Sequence, residues 1–168
     1  MLKLLAHQSL MPKLCSCALP AAALLEGAED RMGVKRDRGT WQQYLADIEA
    51  LYDFGADTLK IRNPLGCEHC QKKGIPELFG YAGRTAVAEL FEPSSDPEAL
   101  RAIARGDEIR LRAIFASQRT ARYDEPDMEG KSTMDCAVYK MSQGILDPRD
   151  IEPHFTAFAT LLRQRKKG

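Results

Sequence analysis

Net charge, long apolar runs and catalytic signatures are all scarce in this chain of 168 residues. Its 24 basic residues balance 24 acidic ones, so no broad electrostatic field exists for wrapping nucleic acid or holding an anionic membrane. No nucleic-acid partner is therefore expected. The one basic cluster, Arg163-Gln164-Arg165-Lys166-Lys167, reads as a solvated helix end whose cations suit the helix dipole. The longest apolar run, Ala18 to Leu25, contains Pro20 and falls far short of the ~20 residues a spanning helix needs. Met1 to Leu5 followed by Leu14-Cys15-Ser16-Cys17 loosely imitates a lipoprotein signal, but His7, Gln8, Ser9, Pro12 and Lys13 interrupt its apolar stretch. The expectation is a cytoplasmic chain with reduced thiols.

Phosphate and nucleophile motifs are missing too. There is no G-x-x-x-x-G-K-[ST], no G-x-S-x-G and no H-E-x-x-H. Gly80-Tyr81-Ala82-Gly83-Arg84-Thr85 offers glycines and a cation but no phosphate lysine. The three histidines supply no evident nucleophile–base pair.

Cysteine is sparse, five in all, yet four come in pairs: Cys15-Ser16-Cys17 and Cys67-Glu68-His69-Cys70. Paired reduced thiols point to a metal, and a tetrathiolate zinc site needs four sulfurs about 2.3 Å from the ion, delivered by two tight turns. The second pair, between Gly66 and Lys72-Lys73-Gly74, has the right spacing. The first has a single spacer, which strains such a turn, and the 49 residues between the pairs exceed a zinc-ribbon interval. His69 and His7 are alternative ligands, or else surface or supporting histidines. Cys136, alone in a helix, reads as a packing residue.

A chain this long buries roughly 70% of its unfolded surface and fits one domain or two small units. Thr40-Trp41-Gln42-Gln43 matches a capping box, with Trp41, Tyr44, Leu45, Ile48, Leu51 and Tyr52 at helical spacing and Gly55 ending the run. Residues 58 to 62 and 84 to 92 read as strands. Asp96-Pro97 opens a helix that Gly106 closes, and another runs from about Asp107 to Gln118. Residues 119 to 131 read as a loop. A helix from Ser132 to Gly144 turns Met134, Ala137, Val138 and Met141 inward. Asp147-Pro148 opens a last helix to about 165, with Ile151, Phe155, Phe158 and Leu162 on one stripe packing toward Val138 and Met141. The fold class expected is helix-rich α+β. A tetracysteine subdomain with short strands fills residues 1–93, and a C-terminal helical subdomain fills 94–168.

The order LLAHQSLMPKLCSC, NPLGCEHCQKKG, FGYAGRTAVAELFEP and MDCAVYKMSQGILDPRDI resembles the C-terminal third of the secretion and pilus-assembly ATPases, the motors of type II secretion and type IV pili. The likeness runs from residue 4 to about 152, and its most specific parts are GCEHC and GYAGRTAVAELFE. It implies one zinc per chain on Cys15, Cys17, Cys67 and Cys70, in a knuckle projecting from a hexameric motor. It also implies ATP and magnesium only in the full-length parent, whose nucleotide machinery would precede residue 1. The partners implied are the rest of the motor, neighbouring subunits and an inner-membrane platform protein, which would make the chain peripheral at that membrane. Arg84 is then either a subunit-contact arginine or a surface arginine beside a turn. Three departures stand out: Ser9 where the family has arginine, the single spacer between Cys15 and Cys17, and the extra stretch EGAEDRMGVKRDRGT.

The rival readings are a free-standing zinc-dependent adaptor or nucleic-acid-binding protein, and a stand-alone enzyme. Without a phosphate loop or magnesium-holding carboxylate pair, the purified chain is expected to show no ATP turnover above background. A phosphate-release assay in which turnover disappears on mutating a residue of this chain would overturn that expectation.

Overall fold

The computed structural model describes residues 3–30, 33–71, 74–125, 128 and 130–166. Lys72, Lys73 and Lys167 lie outside the described residues, as do Arg31 and Met32 of the extra stretch and Pro126, Asp127 and Glu129 of the 119–131 segment. The fold is helix-rich α+β, as the sequence indicates. Its strands are β1 (Leu5–Leu14), β2 (Leu19–Pro20), β3 (Lys60–Ile61) and β4 (Tyr81–Phe91). Its helices are α1 (Arg38–Tyr52), α2 (Glu68–Gln71), α3 (Pro97–Arg105), α4 (Glu108–Ser117), α5 (Thr133–Ser142), α6 (Pro148–Ile151) and α7 (Phe158–Arg165). β1 pairs with β4, and β2 pairs antiparallel with β3 in the register Leu19↔Ile61 and Pro20↔Lys60.

Two compact units result: Met1–Leu10 with Ala86–Tyr139, and Met11–Thr85 with Lys140–Gly168. The sequence places a single boundary near Pro93, whereas each unit here is assembled from two segments of chain. Pairing of β1 with β4 brings the N-terminal residues to a strand some 75 positions later.

In the first unit, α3 and α4 pack around Phe91, Ala99, Ala102 and Ile114, with the Phe91 and Phe115 rings edge to face at 5.2 Å. Local chemistry sets both helices. Asp96 accepts from the N–H groups of Glu98 and Ala99, Pro97 occupies the first turn, and Gly106 closes α3 at φ +66°. Asp107 then caps α4 through the Arg110 N–H. Glu89 accepts from Thr133 N and Arg119, both at 3.0 Å, fixing the start of α5.

The second unit is built on α1. Its cap is Asp37, whose carboxylate accepts from Thr40 N at 3.0 Å and Thr40 Oγ1 at 2.6 Å. Thr40 is therefore the capped residue rather than the cap, and the helix starts two positions before it. Trp41, Leu45, Ile48, Leu51 and Tyr52 are buried on the anticipated face. The single C-terminal helix read from sequence is broken into α6 and α7. Pro153 lacks an N–H and its ring collides with the preceding turn, so the helix stops. Glu152 then accepts from the Phe158 N–H at 2.9 Å and restarts it.

α7 packs on α1, a partner the sequence reading did not name: the Phe158 ring meets Tyr44 and Tyr52 edge to face, each at 6.0 Å. Arg165 adds a bond from Nη1 to Leu51 O at 2.8 Å. Phe158 and Ile151 are fully buried, while Phe155 and Leu162 are only partly so. Phe158→Ala should thus cost ~3–5 kcal/mol and Phe155→Ala distinctly less, measured by urea unfolding followed through Trp41. Equal losses would return both rings to one buried stripe.

Candidate metal centre

Gly66, Gly80 and the side chain of Asn63 shape the Cys67–Cys70 turn. Asn63 Oδ1 accepts from Leu65 N at 3.0 Å and Asn63 O from Gly66 N at 3.0 Å, an Asx turn that reverses the chain. Gly66 has φ +66°, and a Cβ there would meet both Cys70 Sγ and Phe79 Cβ at 3.0 Å. α2 follows, with Cys70 N and Gln71 N donating to Cys67 O at 3.0 and 2.9 Å. Gln71 Nε2 reaches back to Leu65 O at 2.7 Å. Gly80 has φ +82° and lies so close to Asn63 that a Cβ would come within 2.4 Å of its carbonyl oxygen. Only glycine fits there.

The first turn begins where β1 ends. Cys15 N donates to Gly80 O at 2.8 Å and Ala18 N closes the turn on Cys15 O at 3.0 Å. Gly80 thereby ties the two turns, since its own N–H donates to Cys70 Sγ at 3.2 Å.

The four sulfurs of Cys15, Cys17, Cys67 and Cys70 all lie within 4.8 Å of one another. Three of the edges measure 3.8 Å (Cys15–Cys67), 3.9 Å (Cys17–Cys70) and 3.8 Å (Cys67–Cys70). Four sulfurs about 2.3 Å from a tetrahedral ion are about 3.8 Å apart. The donor set fits one metal ion, and the single spacer between Cys15 and Cys17 does not prevent it. All five cysteines are free thiols. His69 is exposed on α2 and is not among the clustered donors. His7, in the other unit, meets Thr133 Oγ1 at 3.2 Å instead. Cys136 is buried in α5, as a packing residue should be.

The thiols differ electrostatically. The Cys17 N–H lowers the Cys15 thiol below its ordinary value. Burial pushes the Cys17 thiol up to about 12, and the neighbouring sulfurs add to that rise. Burial also pushes the Cys70 thiol up, but the N–H groups of Gly80 and Cys67, at 3.2 and 3.1 Å, outweigh it and bring it down to about 7.

A polar network that sequence reasoning missed supports the second turn. Arg62 donates from Nε to Phe79 O at 2.6 Å and from Nη2 to Pro76 O at 2.9 Å, with its guanidinium 5.1 Å from the Tyr81 ring centroid. Arg62 N donates to Asp147 Oδ2 at 2.7 Å, and Tyr81 Oη donates to Asp150 Oδ2 at 2.8 Å. Asp147-Pro148 is legible in the sequence as a helix start. Its partner lies 85 residues away, and nothing in the spacing announces it. Arg84 is exposed on β4 and makes no ion pair among the described residues.

No family model and no curated protein matches this chain. Among the described residues, no helix is long and apolar enough to cross a membrane.

With burial pushing its thiol up to about 12, Cys17 keeps its proton at neutral pH, and a metal that binds there must displace it. Each displaced proton changes affinity about tenfold per pH unit, so metal affinity should rise at least about a hundredfold from pH 6 to pH 8. Chelator competition at the two pH values measures this. A flat profile would remove Cys17 from the ligand set.

Proposed function

We propose that this chain is a non-catalytic, zinc-stabilised module of the secretion and pilus-assembly motor type, with one zinc on Cys15, Cys17, Cys67 and Cys70. The observation that carries the proposal is the four-sulfur cluster with edges near those of a tetrahedral site. Four soft sulfurs in a tetrahedron favour zinc among common divalent ions, which in a closed site serves structure rather than catalysis. When bound, the ion supplies a four-way cross-link between the turns. The chain's own residues do the rest. Gly80 joins the turns through its N–H and carbonyl, Asn63 bends the approach, and Arg62 holds the 76–79 carbonyls.

What supports the motor assignment is the order of GCEHC and GYAGRTAVAELFE, with their cysteines and glycines in structural roles. In such a motor, the module would stiffen a projection contacting neighbouring subunits and the inner-membrane platform. ATP and magnesium would bind elsewhere in the parent. Arg84, exposed on β4, is available for a subunit contact.

Elemental analysis of protein purified without added metal should find one zinc per chain. Cys67→Ser and Cys70→Ser should each release it and loosen residues 56–80, read by hydrogen exchange, while α3 and α4 keep their protection. Metal-free protein with an equally protected 64–80 segment would defeat the zinc reading. Zinc-bound protein that fails to associate with the nucleotide-binding part of such a motor would instead favour the free-standing adaptor.

A further inference from the structure

Gly80 ties the two cysteine turns at one point, accepting from Cys15 N at 2.8 Å and donating to Cys70 Sγ at 3.2 Å. A single hinge of this kind fixes a distance and leaves rotation about it. The second tie comes from residues 144–147. Gly144, at φ +68°, donates its N–H to Met141 O, and Ile145 N donates to Lys140 O, both at 2.9 Å. This pair of bonds is a Schellman stop, which fixes the path of the chain leaving the helix. Ile145 O then accepts from Leu14 N at 2.9 Å, one residue before Cys15. Two positions on, Asp147 Oδ2 accepts from Arg62 N at 2.7 Å, one residue before the Asn63 turn that leads to Cys67. Between them Leu146 is fully buried, and a Cβ on Gly144 would come within 2.8 Å of Lys60 Cγ. Asp147 is itself 1% exposed and gripped by the Arg149 guanidinium, which also reaches Glu29 O at 2.8 Å. One short segment therefore holds the approach to both cysteine pairs.

We infer that Asp147 is a positioning residue of the metal centre. Through it the Ile145–Asp147 segment sets how the two cysteine turns face each other, so metal affinity and the order of this segment rise and fall together. The inference rests on the metal reading above and extends that site to residues that supply no ligand. An ion held by four sulfurs about 2.3 Å away tolerates displacements of only about 0.2 Å. A turn free to rotate about Gly80 would spend much of its time outside that tolerance. Removing the Asp147 carboxylate leaves Arg62 N, and with it the approach to Cys67, without its acceptor, while all four sulfurs stay in place. Groups that orient ligands without touching the ion typically change metal affinity about 10–100-fold. Linkage makes the effect reciprocal: whatever order in the segment adds to metal binding, metal binding adds to the order of the segment.

Two measurements test this. In chelator competition at one fixed pH, Asp147→Ala should bind zinc about 10–100-fold more weakly than the unaltered chain. Its cobalt(II) form should keep the same tetrathiolate absorption, since no ligand is lost. Phe158→Ala removes a buried ring packed on α1; it should lower stability yet leave zinc affinity within about twofold. Equal weakening by the two variants would reduce Asp147 to general stability and overturn the inference, as would unchanged affinity in Asp147→Ala. The unaltered chain gives the second reading, independent of any variant. Zinc loading should slow amide exchange across 64–80 and also at Arg149 and Asp150, whose N–H groups donate to Asp147 Oδ1 and Asp147 O at 2.9 Å each. Slowing confined to 64–80 would overturn the coupling while leaving the metal centre standing. Protein that neither carries nor takes up zinc would overturn the metal reading, and the inference with it.

Discussion

Four sulfurs brought within 4.8 Å of one another are an electrostatic problem before they are a structure. At an effective dielectric near 20, two thiolates about 4 Å apart repel by about 4 kcal/mol, so four cannot share one corner of a protein as bare anions. Either protons stay on some of them or a cation enters. Burial, with the neighbouring sulfurs adding to it, pushes the Cys17 thiol up to about 12, while the N–H groups of Gly80 and Cys67 outweigh burial and bring the Cys70 thiol down to about 7. A divalent ion removes the conflict at every edge at once. Residues 15–17, 63–71 and 74–80 place the four sulfurs where one ion could meet that requirement.

That requirement extends outward through hydrogen bonds rather than through apolar packing. α2 is a helix of four residues with one buried side chain, Cys70, too small to hold a turn by burial. Its support comes instead from Arg62, whose backbone N–H reaches Asp147 and whose side chain holds the carbonyls of Pro76 and Phe79. Asp147 is 1% exposed and also accepts from Arg149 N and its guanidinium. Burial disfavours charge on Arg149, yet the Asp147 carboxylate outweighs it and raises the arginine pKa further. A buried pair of this kind contributes little net energy but fixes one arrangement, since neither charge can be satisfied elsewhere. The 147–149 segment is thereby registered against Arg62 and the Cys67–Cys70 turn it supports.

What could be read from the sequence was what local chemistry decides. Asp96-Pro97 with Gly106 set the limits of α3, and Asp147-Pro148 set the start of α6, because caps act over three or four residues. The stripe from Trp41 to Tyr52 buried as its period required. Local rules failed where two of them competed. Asp37 and Thr40 both fit a helix start, and Asp37 won by accepting from both Thr40 groups. The stripe through Ile151, Phe155, Phe158 and Leu162 ignored Pro153, which no periodicity can override. β1 went unread because Pro12, His7 and Lys13 make its sequence look like a loop. Only pairing with β4 makes it a strand, and a two-stranded ribbon tolerates a proline whose missing N–H faces outward.

The cysteine pattern shows the same division between local and distant causes. One spacer between Cys15 and Cys17 is too few for a self-contained metal-binding turn, and spacing alone therefore left the first pair in doubt. The doubt dissolves because that pair is not self-contained. Cys15 closes a strand whose N–H is held by Gly80 O, and the same glycine donates to Cys70 Sγ. Curvature that the short turn lacks is supplied by a residue 65 positions away, in a left-handed conformation that a larger side chain would deny. The same division accounts for the low Cys70 thiol, because the N–H groups of Cys67 and Gly80 converge on its sulfur at 3.1 and 3.2 Å.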